Sequence, residues 1–173
     1  GIKNIPYFTN GYITLETGFN WVIEPGIVIK VRESDDDYYN NRIIVKGSIR
    51  AEGTLGEPIV FTSANDDEFG GDIYFNGAAN PAERGDWHGI TLNNSTNSRF
   101  KYSKFRYGGF STQNPQYGAL LINNSSPPLI ANCEFVANTR GIVVSGSSNA
   151  TIDSCDFTKN RVGVYKEGGT VRV

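Results

Sequence analysis

Between residues 129 and 166 the chain writes one pattern twice. Leu129-Ile-Ala-Asn-Cys133-Glu-Phe135-Val-Ala-Asn138-Thr-Arg-Gly141-Ile-Val-Val lies over Thr151-Ile-Asp-Ser-Cys155-Asp-Phe157-Thr-Lys-Asn160-Arg-Val-Gly163-Val-Tyr-Lys. Cys meets Cys, Phe meets Phe, Asn meets Asn and Gly meets Gly, each 22 residues on. A weaker copy begins at Arg99, with Ser103 in the Cys place and Phe105 in the Phe place, and Gly89-Ile-Thr-Leu92 is an earlier Gly-led strand. Each unit holds two or three short apolar-alternating runs, too little to bury its own apolar face. Stacked copies do bury it, each strand pairing with its equivalent in the next unit. A period near 22 suits a coil of three short strands and three turns. The Leu-x-x-Leu-x-Leu spacing of a leucine-rich repeat is absent, and no stretch keeps helical apolar spacing for three turns. The fold class is therefore all-β, a solenoid of three short strands and about 22 residues per coil.

The N-terminal half has the same grain. Ile43-Ile-Val45-Lys-Gly47-Ser-Ile49-Arg-Ala51-Glu-Gly53 alternates, with Val45, Gly47, Ile49 and Ala51 on one side and Lys46, Ser48, Arg50 and Glu52 on the other. Three polar insertions, near 33–42, 66–86 and 108–117, read as surface loops. Residues 1–20, with Tyr7, Phe8, Tyr12 and Phe19, read as an N-terminal cap, so 1–173 is expected to be a single domain. Thr170-Val-Arg-Val173 is strand-like and uncapped. The chain is then either a piece of a longer protein or one that associates end to end through that edge.

Net charge is −2, from 16 basic and 18 acidic residues, and gives no electrostatic footprint for nucleic acid. No run approaches the 18 apolar residues of a membrane-spanning helix. There is no Met and no signal peptide, so the start at Gly1 reads as a processed or excised segment.

Ile23-Glu-Pro-Gly-Ile-Val-Ile-Lys, Val45-Lys-Gly-Ser-Ile-Arg-Ala-Glu-Gly-Thr, Pro58-Ile-Val-Phe-Thr-Ser and Gly85-Asp-Trp-His-Gly-Ile-Thr-Leu resemble successive coils of bacterial cell-surface β-helix-repeat proteins. These belong to the pectate-lyase-like superfamily of right-handed parallel β-helices. The resemblance covers roughly residues 20–168 and implies a right-handed parallel β-helix and an extracellular or cell-surface location. It also implies stacks of like side chains: an asparagine ladder at Asn138 and Asn160, a ring stack at Phe135 and Phe157, and core thiols at Cys133 and Cys155. A disulfide between the two cysteines is an alternative that strains the usual geometry.

Enzymes of that superfamily use clustered carboxylates, sometimes with Ca²⁺, and a Lys or Arg base on the outer face of adjacent coils. This sequence repeats an acid only at Glu134 and Asp156, read as a solvated position, and no catalytic residue is assigned. Among the loop acids, Asp66, Asp67 and Asp72 are the candidate Ca²⁺ ligands, ahead of Asp35 to Asp37. The lone His88 reads as a loop-packing residue. Loop aromatics Tyr38, Tyr39, Tyr74, Phe110 and Tyr117 are candidate platforms for sugar rings, provided that the three insertions leave one edge of the solenoid. The expected function is a non-catalytic extracellular module, structural, adhesive or self-assembling, with a polysaccharide or cell-surface component as partner. The alternatives are a carbohydrate-binding module using the loop aromatics, and a polysaccharide lyase or hydrolase.

Overall fold

A computed structural model describes residues 5–34, 41–110, 117–126 and 128–173. Among the described residues eighteen short strands form three parallel sheets of six. The first sheet stacks β1 (Tyr7–Thr9), β4 (Val28–Val31), β7 (Ile59–Ser63), β10 (Ser103–Arg106), β13 (Glu134–Val136) and β16 (Asp156–Thr158). The second stacks β2 (Ile13–Leu15), β5 (Arg42–Val45), β8 (Gly89–Asn93), β11 (Leu120–Asn123), β14 (Arg140–Ser145) and β17 (Val162–Lys166). The third stacks β3 (Asn20–Ile23), β6 (Ser48–Glu52), β9 (Arg99–Lys101), β12 (Leu129–Ala131), β15 (Asn149–Asp153) and β18 (Thr170–Arg172). The chain visits the sheets in strict rotation, so six coils wind into a right-handed parallel β-helix of three strands per coil.

Strand periodicity sends alternate side chains inward, and register places like residues in columns. One column of the first sheet runs Ile29, Phe61, Phe105, Phe135, Phe157. Its rings stack face to face, Phe61 on Phe105 at 5.3 Å, Phe105 on Phe135 at 4.7 Å and Phe135 on Phe157 at 5.1 Å. In the second sheet Ile43, Ile90, Leu120 and Ile142 form another column of buried residues. Cys133 and Cys155 are free thiols in adjacent coils, Cys133 buried and Cys155 partly so. Their contact pushes the Cys133 thiol far up, aided by burial, and draws the Cys155 thiol down.

Corners are sharp because single residues take the left-handed backbone conformation. Tyr107, Ala137 and Lys159 do so after the first sheet, Asn94 and Asn124 after the second, and Tyr102, Asn132 and Ser154 after the third. Gly146 continues the Asn94 and Asn124 positions, and a Cβ there would collide with the Asn124 side chain. Polar ladders satisfy the corner backbone. The Asn138 side chain donates to Asn160 Oδ1 (2.9 Å) and to the Phe105 carbonyl (2.9 Å), and accepts from the Gly108 N–H (2.8 Å). Between the second and third sheets a serine ladder does the same work. Ser148 Oγ accepts from the Ser125 N–H and Ser125 Oγ from the Ser95 N–H, while the Ser95 hydroxyl donates to the Gly47 carbonyl.

Of residues 1–20, expected as an N-terminal cap, the described part supplies strands Tyr7–Thr9 and Ile13–Leu15 of the first coil, which Asn20–Ile23 completes. Of its aromatics, Tyr7, Phe8, Tyr12 and Phe19 are exposed, Tyr7 in register with the inward-facing Ile29 at the open end of the stack. An apolar recess of about 420 Å³ between Tyr7, Ile13, Trp21 and Ile29 lies at that end.

Candidate functional site

All three insertions lie between the first and second sheets, on consecutive coils. They are the connections β4–β5 (32–41), β7–β8 (64–88) and β10–β11 (107–119). The same corner is a tight turn in the first, fifth and sixth coils. Of the candidate aromatics, Tyr38 and Tyr39 lie outside the described residues, as do Asp35 to Asp37.

The 64–88 connection is strapped down on the outer face of the first sheet. Lys30 and Thr62 are register partners there, pointing away from core neighbours Ile29 and Phe61. Arg106 follows Phe105 on the same face. Its guanidinium approaches Asp66 at 3.0 Å and Glu68 at 2.5 Å, and packs 4.8 Å from the Phe69 ring centroid. Burial works against the Arg106 charge, but Glu68, Tyr107 and Asp66 outweigh it and raise the pKa. The Thr62 hydroxyl donates to Asp66 Oδ2 at 2.5 Å, and the Lys30 ammonium donates to the Gly71 carbonyl. Burial lowers the Lys30 pKa, opposed by the charges of Asp66, Asp67 and Asp72.

These are the three carboxylates picked out as Ca²⁺ ligands. The structure gives two of them other partners. Asp66 is buried against Arg106 and Thr62. Asp72 accepts from the Tyr74 and Gly77 N–H groups at 3.0 and 2.8 Å, closing a turn. Asp67 is exposed. Among the described residues no group of three His, Cys, Asp or Glu side chains is placed to hold a metal ion.

Below the strap, His88 is buried between Phe110 (5.0 Å between ring centroids) and Tyr117 (5.4 Å). Its Nδ1 is 3.1 Å from Ser34 Oγ, and Arg42 donates to the Tyr117 hydroxyl at 3.1 Å. Phe110 and Tyr117 therefore pack on the corner itself. The neighbouring Asp86 carboxyl accepts from the Ser63 hydroxyl at 2.6 Å. Burial is the main cause that pushes it up to about 6, with Glu33 and Glu83 adding to the rise.

Tyr74 is placed differently. It is 37% exposed, meets Phe8 edge to face at 6.2 Å, and donates its hydroxyl to Glu33 at 3.1 Å. Together with Asn10, Arg32 and Asn65 these side chains line a groove of about 400 Å³ between the strap and the first two coils. The adjoining Phe75 is 92% exposed, with φ +54°. Sequence reasoning found Tyr74 but not Asn65, Arg32, Glu33 or Phe8, which come together only across coils. A strand with Thr62 outward, followed by an Asp-rich insertion, was the available signal for the strap.

A family model described as a right-handed β-helix region matches residues 25–172. No curated protein matches the chain, and no solved structure does.

Proposed function

The chain belongs to the right-handed β-helix family, and from that premise we propose that it is a non-catalytic extracellular module that recognises saccharide through its loop-bearing corner. The observation that carries this reading is the placement of all three insertions on one corner of consecutive coils. Lengthening the same turn three times running places three neighbouring loops in one continuous surface. Exposed aromatics at that surface suit sugar recognition, since an aromatic face can pack on the C–H face of a sugar ring. Three carboxylates of the corner are engaged in structure: Asp66 with Arg106, Asp72 with a turn and Asp86 with Ser63. A glycosidase pair has to act on substrate from both sides of the bond.

Immobilised protein screened against neutral, amino and acidic saccharides tests the reading. Saturable binding that is weakened by Tyr74→Ala is expected. Absence of binding throughout the panel refutes recognition, and release of new reducing ends or unsaturated products refutes the non-catalytic assignment.

A further inference from the structure

Cys133 and Cys155 are the two cysteines of the chain, both free thiols, and the fold sets them side by side. Register pairs Ala131 with Asp153 and Glu134 with Asp156, so the two cysteines hold equivalent places on adjacent coils. Neighbouring parallel strands lie about 4.8 Å apart, within the roughly 4.4–6.8 Å of Cα separation that a disulfide accepts. Both sulfurs lie on the same stretch of backbone. The Cys155 thiol donates back across the coil boundary to the Ile130 carbonyl at 3.5 Å, and the Cys133 thiol donates to the next carbonyl, that of Ala131, at 3.3 Å.

The two differ in access and in acidity. Cys133 is 1% exposed, whereas Cys155 is partly exposed. The Cys133 thiol hydrogen-bonds to Cys155. That contact draws the Cys155 thiol down and, with burial, pushes Cys133 up. The sulfur that solvent can reach is therefore the one that ionises, with a protonated thiol held behind it. Thiolate character and access select the attacking sulfur in disulfide exchange.

We propose that Cys155 and Cys133 form a thiol–disulfide exchange site for low-molecular-weight disulfides, with Cys155 attacking and Cys133 resolving. The Cys155 thiolate attacks one sulfur of the reagent RSSR. The reagent's S–S bond breaks, a Cys155–SR mixed disulfide forms and RS⁻ leaves. Cys133 then gives its proton to that thiolate and attacks the Cys155 sulfur, expelling the second RS⁻, which takes a proton from water. The two protein thiols are oxidised by two electrons in all, and the reagent is reduced to two RSH. The product is a bridge between the corners that lead into β13 and β16. Closing it draws the two Cβ atoms from strand spacing towards the about 3.5–4.5 Å of a relaxed disulfide. This corner lies between the third and first sheets, away from the three insertions, so the site is independent of saccharide recognition.

Incubation of the intact chain with oxidised glutathione, followed by acid quench, intact mass and non-reducing peptide mapping, tests it. The parent is expected to lose two hydrogens and to yield a peptide pair joined through Cys133 and Cys155. Cys133→Ser should stop at one glutathionyl group on Cys155, and Cys155→Ser should stay unmodified. Serine suits this column, since Ser103 is in line with Cys133 one coil earlier and donates to the Ala51 carbonyl at 3.0 Å. Parent-like circular dichroism is therefore expected of both variants. A parent that stays reduced, or that retains a glutathionyl group without bridging, overturns the proposal whatever the variants do. Modification of Cys133 in folded Cys155→Ser overturns the assignment of Cys155 as the attacking thiol.

Discussion

Asp86 and Asn138 are corner residues whose removal should act in opposite directions. Asp86 is pushed up from the ordinary 3.8 to about 6, chiefly by burial. The folded state thus keeps this proton over a range where the unfolded chain has released it. Stability from this group is fully present below 3.8 and falls as pH rises towards 6, by on the order of 2–3 kcal/mol. Asp86→Asn removes that loss while leaving an acceptor for Ser63. Urea midpoints of variant and parent should therefore diverge in the variant's favour between pH 4 and 7, and parallel curves would contradict the assignment. Asn138 behaves conversely. It satisfies Gly108, Phe105 and Asn160 at once, so Asn138→Ala strands buried backbone groups and should cost about 2–4 kcal/mol by denaturant titration.

At the scale of the element, the 64–88 strap is held by two cations, Lys30 and Arg106, of which Arg106 pairs directly with Asp66. Arg106→Met leaves Asp66 buried without its partner, a change that costs about 3–5 kcal/mol in comparable sites. Limited proteolysis should then cut within 64–88 while the β-sheet circular dichroism persists. A strap as resistant as the parent's would show that Phe69 and Thr62 suffice to hold it. Elements differ in how far the sequence exposes them. The Phe, Asn and Cys columns were legible because adjacent coils place identical residues 22 apart. The serine ladder was not, because the turn lengths that bring Ser95, Ser125 and Ser148 together differ: the spacing is 30 and then 23. The strap was read as a solvated loop. Its buried partners Lys30 and Arg106 flank it in sequence, but only the coil stacking puts both beneath it. Residues 1–20 were read as a cap because Tyr7, Phe8, Tyr12 and Phe19 give them bulk. In the candidate site Tyr74 could be named in advance, whereas Phe8, Arg32 and Glu33 join it only once the coils are assembled.

The whole molecule is a one-dimensional stack in which the strands of each coil pair only with those of adjacent coils, while the long loops reach further. The strands of the first and sixth coils pair on one side only, those of the middle coils on both. Native-state hydrogen exchange should therefore release amides of β16, β17 and β18 well before those of β8 and β11, grading along the stack. Uniform protection would indicate a single all-or-none unit. The direction of the pairing also gives the molecule a mechanical grain. Hydrogen bonds between coils run along the solenoid axis while the strands run across it. Tension applied end to end peels one coil's bonds at a time. A sideways tug delivered through a ligand at the 64–88 corner is instead shared by several rows loaded in shear. Such a molecule yields when stretched along its length and holds when dragged from its flank.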